Sequence, residues 1–234
     1  MKFKLLLPAM TTIVLFFAAC AEESISSVEK NYELTGFTEI DLGNAFKIDI
    51  SQGETYQVKA IGTVRDINDL QIKVTNGRLT AIYEPNRDNR KRTHLLIQLP
   101  KLTYLRLSGA TKTMLTGFFE ETDSLRLSVD GASELDAQLS LRFLDLNVSG
   151  ASDVTLDGLV YDLQARVSGV SLFLGNNLRT ETCYVELSGV SKANVNVLKS
   201  LQGNVSGNSE LGYIGTPTTQ VNVGVTSGGK VFKL

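Results

Sequence analysis

Two acidic residues, Glu134 and Asp153, are the best candidates for site chemistry in this 234-residue chain. They occupy the same place in adjacent copies of a repeat, so stacking in register would set them about 5 Å apart. Two carboxylates this close could hold a cation, or act as acid and base in glycan cleavage. The alternative is a surface ladder of mixed charge, because Lys112 and Lys192 occupy the same place in other copies. The ladder is favoured, since no histidine or run of aspartates accompanies the pair.

The other reactive side chains are isolated from one another in the sequence. The single histidine, His94, is far from Cys183, and a nucleophilic cysteine needs a base beside it. Cys183 has the same parity as Val185 and Leu187, which indicates a small apolar core residue. One histidine cannot form a zinc site, and no phosphate-binding glycine loop is present. We therefore expect no enzyme activity, no cofactor and no metal.

The element that must position these residues is a repeat built around Val-Ser-Gly-Ala-Ser. Its glycines follow one another at intervals of 22, 19, 19, 20 and 18 residues, and a period near twenty indicates a solenoid. The positions two and four before each glycine are mostly aliphatic, whereas the position three before is polar. This alternation is typical of a strand with one buried face. The glycines are Gly109, Gly131, Gly150, Gly169, Gly189 and Gly207.

The pattern predicts an all-β fold, a parallel β-helix of about seven rungs, with Ser227 taking the glycine's place in the seventh. Each glycine would permit a sharp corner that a Cβ disfavours. A hydroxyl follows two residues later and can satisfy backbone groups at the bend, so we interpret this column as structural and not as nucleophiles. The hydroxyl column comprises Thr111, Ser133, Ser152, Ser171, Ser191 and Ser209.

Residues 36–100 do not follow the repeat pattern of residues 101–234. Alternating runs joined at Gln52-Gly53 and at Asn76-Gly77 predict two antiparallel β-hairpins, which would cap the open N-terminal end of the solenoid. At the other end, Lys230 and Lys233 would protect the last strand from pairing with other chains. The alternative is an edge through which the protein self-associates.

The first residues are typical of an exported lipoprotein. Residues 1–19 have a basic start and a short apolar run, as in a cleaved signal peptide, and Cys20 follows directly as the candidate lipidation site. Residues 20–35 are polar and predict a flexible tether. Without the two signal-peptide lysines, 21 basic and 25 acidic side chains remain. This balance lacks the excess of positive charge that is typical of nucleic-acid-binding proteins. We expect membrane attachment through lipid and no transmembrane helix.

One basic stretch interrupts this mild charge balance. Residues 86–94 contain Arg87, Arg90, Lys91 and Arg92. Such a segment could contact anionic lipid or acidic glycans. A charged loop between two strands explains it equally well, and this is the interpretation we favour.

The lipoprotein start, the F-K-I-x-I-S-Q-G segment at 46–53 and the V-S-G-A-S rungs together resemble the auto-transporter adhesin head GIN domain family. The resemblance covers residues 37–234. It implies a right-handed parallel β-helix in an exported, envelope-associated protein, here a head GIN-like domain at 36–234. It implies no catalytic residues. An auto-transporter would carry a C-terminal membrane barrel, which this sequence does not show after its last rung.

We therefore expect a lipid-anchored, non-catalytic binding or structural module of the cell envelope, adhesin-like, with a glycan or protein ligand. It would be an outer-membrane lipoprotein that faces either outward or the periplasm. One alternative is a polysaccharide-active enzyme on the same scaffold, for which the short repeat leaves little room. The other is a periplasm-facing scaffold without an external ligand.

Overall fold

The computed structural model describes residues 27–85, 87–117 and 123–234. Cys20, the predicted signal peptide at 1–19 and residues 20–26 of the predicted tether lie outside the described residues, whereas residues 27–32 form a strand. Of the described residues, 65% are strand and 3% are helix. Within the three described segments, no helix has the length and apolarity to cross a bilayer.

One helix and seventeen strands make up the described chain. In chain order they are β1 (Ser27–Tyr32), β2 (Glu39–Leu42), β3 (Lys47–Gln52), β4 (Gln57–Thr63), α1 (Val64–Asp69), β5 (Leu70–Thr75), β6 (Arg78–Tyr83), β7 (His94–Leu99), β8 (Tyr104–Leu107), β9 (Lys112–Thr116), β10 (Ser124–Val129), β11 (Glu134–Val148), β12 (Asp153–Val167), β13 (Leu172–Leu187), β14 (Lys192–Val205), β15 (Glu210–Ile214), β16 (Gln220–Val225) and β17 (Lys230–Lys233).

Two ladders of parallel strands form the solenoid. The first contains β8, β10, the second halves of β11 to β14, and then β16. The second contains β9, the first halves of β11 to β14, β15 and β17. The repeated glycines lie at the corner that joins the first ladder to the second. The coil has about six turns, and β16 and β17 continue both ladders at its end, which confirms the parallel β-helix.

The interior consists of stacked aliphatic side chains. Burial alternates along the strands of the inner turns, so that β11 buries every second residue over most of its length. Like side chains lie above like, and the columns fuse into one core along the axis. The column two before each glycine is at most 2% exposed and comprises Leu107, Val129, Val148, Val167, Leu187 and Val205.

The N-terminal part adds two further layers to the solenoid. β2 pairs in parallel with both β6 and β8, and β3 pairs in parallel with both β7 and β9. The β2–β3 layer therefore lies between the β6–β7 layer and the first repeat. Antiparallel strands complete this end: β5 lies against β6, β4 against β7, and β1 against β4.

One of the two predicted hairpins is present, and the prediction of the other is wrong. β5 and β6 form a hairpin in which Thr75 opposes Arg78, and the turn residues Asn76 and Gly77 have φ of 51° and 75°. The hairpin at Gln52-Gly53 does not form, because β7 lies between β3 and β4. Both edges of β3 pair with parallel strands, so β4 has no free edge of β3 with which to pair.

Candidate ligand-binding face

The corner glycines stack directly on one another. All six have φ between 69° and 79°, a region that favours glycine. A Cβ on Gly150 would lie 2.4 Å from the carbonyl oxygen of Gly131, one turn below. The same corner continues to Asn44 (φ 62°) below Gly109 and to Ser227 (φ 54°) at the other end. The glycines therefore form the solenoid's backbone corner and leave no space for a ligand.

The hydroxyl column lies inside this corner. All six side chains are at most 3% exposed. Ser133 N–H donates to Ser152 Oγ, and Ser191 Oγ donates to the Val167 carbonyl at 3.2 Å. Four of these hydroxyls bond to backbone groups, whereas those of Thr111 and Ser133 have no partner in the described residues. None has a hydrogen bond to a histidine or lysine side chain there, so the column is unsuited to nucleophilic attack.

The structure places Glu134 and Asp153 opposite each other on adjacent strands, as their spacing indicates. On the strand opposite to that of Asp153, Lys112 pairs with Glu134, and its Nζ lies 2.8 Å from the Glu134 carboxylate. That hydrogen bond raises the pKa of Lys112. Farther along the same column, Lys192 and Lys230 both bind Glu210 and lower its pKa. This arrangement is a ladder of mixed charge, and no group of three potential metal-binding side chains occurs in the described residues.

Cys183 and His94 do not come together in the fold. Cys183 is 2% exposed on β13, and burial raises the pKa of its thiol, which leaves it uncharged and unreactive. His94 lies on β7, where its Nε2 is 2.8 Å from Asp49 Oδ2. Neither side chain has the partners that covalent catalysis requires.

The outer surface of the first ladder carries three columns of polar and aromatic side chains, which we call the polar face. The columns stand seven, five and three residues before each glycine, and their side chains point outward because the buried positions alternate with them. The polar face comprises Ser124, Phe143, Asp162, Thr182 and Ser200, then Tyr104, Arg126, Asp145, Gln164, Tyr184 and Gln202, and then Arg106, Ser128, Asn147, Arg166, Glu186 and Asn204.

Ion pairs between turns hold the arginines of the polar face in place. Asp145 accepts from Arg126 Nε at 3.3 Å and from Arg166 Nη1 at 3.0 Å, and Arg166 Nε lies 3.4 Å from Glu186. Arg106 Nη2 lies 3.1 Å from an Asp130 carboxylate oxygen. Planar guanidinium and carboxylate groups thus stand at fixed positions on consecutive turns, each with further hydrogen-bonding capacity toward solvent.

Aromatic side chains lie on alternate turns of the polar face. Tyr104, Phe143 and Tyr184 are each separated by two turns, or about 10 Å along the axis. Phe143 borders two adjacent depressions: one of about 530 Å³ that includes Tyr104 and Arg126, and one of about 320 Å³ that includes Tyr184. Together they form a shallow groove that runs along the solenoid axis across six turns.

The sequence pointed to only part of this face. The polar column three before the glycine is part of the predicted pattern, whereas the columns five and seven before it, which hold the aromatic residues, are not. The same alignment on the glycines contains the signal, since Tyr104 and Tyr184 share one offset. The pairing register was needed to place Phe143 between them.

Known proteins resemble this chain in sequence pattern and in fold. A family model described as "Putative auto-transporter adhesin, head GIN domain" matches residues 36–217. No curated protein matches. A crystal structure of a putative adhesin from Bacteroides fragilis has a TM-score of 0.82 at 20% identity, over 90% of this chain and 98% of that one. One from Parabacteroides distasonis has a TM-score of 0.72 at 16% identity, over 90% and 98%.

A third crystal structure, of a putative lipid binding protein from Parabacteroides distasonis, has a TM-score of 0.67 at 11% identity and covers 88% of this chain and 96% of that one. At these identities the structures show the shared fold. Their descriptions, and that of the family, name adhesion or lipid binding and not catalysis. Since the family model spans most of its length, the chain belongs to the head GIN domain family of putative auto-transporter adhesins.

Proposed function

We propose that the protein is a lipid-anchored, non-catalytic binding module of the cell envelope, and that its polar face binds an extended glycan. The observation that carries the proposal is the groove on this face, in which arginine–carboxylate pairs lie beside aromatic side chains that recur on every second turn. The family's adhesin description supports association with the envelope or the cell surface. Lipid on Cys20 would supply the attachment.

The chemistry of the polar face suits a saccharide. Sugar rings present apolar C–H faces, which pack on aromatic side chains, and rims of hydroxyls, which need fixed donors and acceptors. The spacing of Tyr104, Phe143 and Tyr184 is comparable with the length of a disaccharide unit. A linear glycan lying along the axis could therefore repeat the same contacts from turn to turn.

A glycan array probed with the purified full chain tests this proposal. We expect retention of one class of oligosaccharide, and Phe143→Ala should weaken its binding about tenfold or more, as is typical of a central aromatic contact. Phe232→Ala is the matched control, because Phe143 and Phe232 are 38% and 42% exposed and Phe232 lies on the terminal strand β17. The proposal fails if no oligosaccharide is retained, or if the two variants bind alike.

The enzyme alternative has its own test at the carboxylate pair. Glu134→Gln combined with Asp153→Asn removes both charges of the pair but leaves the groove intact. We expect glycan binding to stay within about twofold of the parent. Incubation of the retained oligosaccharide with the parent protein should yield no cleaved product by mass spectrometry. A cleavage product that disappears in the double variant would restore the enzyme interpretation.

A further inference from the structure

A cavity at the N-terminal end of the corner has mostly cationic residues in its lining. Its volume is about 440 Å³, and its lining comprises Asn44, Ala45, Tyr83, Arg87, Arg90, Lys91 and Arg92. It shares no lining residue with the two depressions of the polar face. Four of its seven lining residues are cationic and none is acidic, so the lining attracts anions.

Helix α1 explains how this many cations are held together. Arg90 donates from Nη1 to Asp66 at 3.1 Å and from Nη2 to Asp69 at 2.9 Å, and its guanidinium packs 4.2 Å from the Tyr83 ring centroid. Arg87 Nε lies 3.0 Å from the same Asp69. These contacts fix the loop backbone at its middle and set two guanidinium groups into the cavity wall.

Two further cations of the loop keep their charge available. The backbone N–H of Lys91 donates to Asp66, so the position of this residue is fixed while its side chain is exposed. Neither Lys91 nor Arg92 has an acidic side-chain partner within the described part of the chain. The buried Asp66 and Asp69 pair with Arg87 and Arg90, so the excess positive charge of the lining comes from Lys91 and Arg92.

The corner supplies a backbone donor to the same cavity. In the six turns with a corner glycine, the residue after the corner donates its N–H to the corner carbonyl below, as Ala110 does to Asn44 at 2.6 Å and Ala132 to Gly109 at 2.7 Å. Ala45 holds the equivalent place in the first such corner, but the turn below it is replaced by the loop after β6. Among residues 27–85, 87–117 and 123–234, the Ala45 N–H makes no such hydrogen bond.

We propose that this cavity binds the oxyanion of a sugar-sized ligand, a carboxylate or a phosphate ester. Arginine side chains and a free backbone N–H are the donors that such groups prefer. The volume exceeds what a bare inorganic ion fills, and the Tyr83 ring adds an apolar wall. The site lies apart from the polar face, so its test does not depend on whether the groove binds a glycan.

Calorimetric titration of the full chain with four ligands of matched skeleton tests the site. Glucuronate carries a carboxylate, glucose 6-phosphate carries a phosphate ester, glucose is the neutral parent, and inorganic phosphate lacks the sugar. We expect one or both acidic sugars to bind more tightly than glucose and inorganic phosphate, with an affinity that falls as salt increases. The tighter of the two acidic sugars identifies the oxyanion.

A charge-matched pair of double variants locates the binding. Lys91→Gln with Arg92→Gln should weaken the acidic sugar about tenfold or more, because two charge-assisted contacts are lost. Arg179→Gln with Lys233→Gln makes the same change in net charge on β13 and β17 and should leave the affinity unchanged. Both variants alter exposed side chains, so their melting temperatures should match the parent.

Three results would overturn the proposal: no binding of either acidic sugar, equal binding of glucose, or an equal loss of affinity in both double variants. Tighter binding of inorganic phosphate than of either sugar would overturn the assignment of a sugar-sized ligand.

Discussion

A glycine at the corner of this solenoid meets two separate requirements. It adopts a positive φ, and it lies against the backbone of the turn below, where a side chain would collide. Gly36 meets only the first requirement, since its φ is 73° and a Cβ would have nothing within 4 Å. The two glycines therefore separate backbone strain from steric exclusion.

Gly150→Ala should lower the free energy of unfolding by roughly 3 kcal/mol, because strain and a backbone collision act together. Gly36→Ala should cost about 1 kcal/mol, from strain alone. Chemical denaturation of both variants measures the difference. Equal losses would show that the stacked glycines are not in contact.

The buried hydroxyls at the corner differ in what they bind. Ser191 Oγ can donate to the carbonyls of Val167 or Ser188, whereas Ser133 Oγ is buried without a partner in the described residues. Ser191→Ala should therefore cost about 1 kcal/mol, and Ser133→Ala close to nothing. Thermal melting followed by circular dichroism compares them. A larger loss for Ser133→Ala would contradict this assignment of hydrogen bonds.

At the scale of elements, α1 and the loop after β6 form one unit through buried charge. Asp66 is fully buried. Burial alone would raise its pKa, but hydrogen bonds from Thr63, Lys91 N–H and Arg65 hold the pKa below its ordinary value of 3.8. The carboxylate therefore stabilises the fold above about pH 4, and this contribution is lost as the pH falls toward the lowered pKa.

Asp66→Asn should lower the free energy of unfolding by roughly 2 kcal/mol at pH 7, because Arg90 keeps only Asp69 as a charged partner. The deficit relative to the parent should shrink below pH 4, where the parent begins to lose the same charge. Glu29→Gln is the control, since its pair with Lys59 is exposed and is worth less than about 1 kcal/mol. A deficit that does not change with pH would contradict the role given to the ionised form.

The sequence predicts the repeats well and the N-terminal elements only in part. Columns aligned on Gly131 or Gly150 identify strand, corner and buried face together, because equal offsets become neighbours in a solenoid. Period-two alternation identifies β3 as a strand but carries no information about its partners. The β2–β3 layer was missed because its corner residue is Asn44 and its neighbours come from later in the chain.

The candidate sites also differ in how far the sequence predicts them. The charge ladder around Glu134 was predicted from spacing alone, since it depends only on register within the repeats. The anion cavity was not, although its cations were noted as a basic stretch. Its definition depends on contacts between α1, the loop after β6 and the corner at Asn44, which are distant in sequence and follow no repeat.

At the scale of the whole molecule, the last layer presents positions that are buried elsewhere. Val221 and Val225 lie on the columns of Leu201 and Val205, yet they are 47% and 49% exposed. Lys230 and Lys233 on β17 oppose pairing with another copy through their charge. We expect the full chain to be monomeric at micromolar concentration by light scattering, and Lys230→Val with Lys233→Val to induce association. A parent that is already dimeric would instead favour self-association through this edge.

A binding module with an adhesin-like role must display its polar face outward, and we propose this orientation for the solenoid. Intact cells treated with a protease, followed by detection of residues 36–234, test it directly. We predict loss of these residues on intact cells, together with retention of a periplasmic control protein. Protection on intact cells, with digestion only after lysis, would contradict the claim and place the polar face toward periplasmic partners.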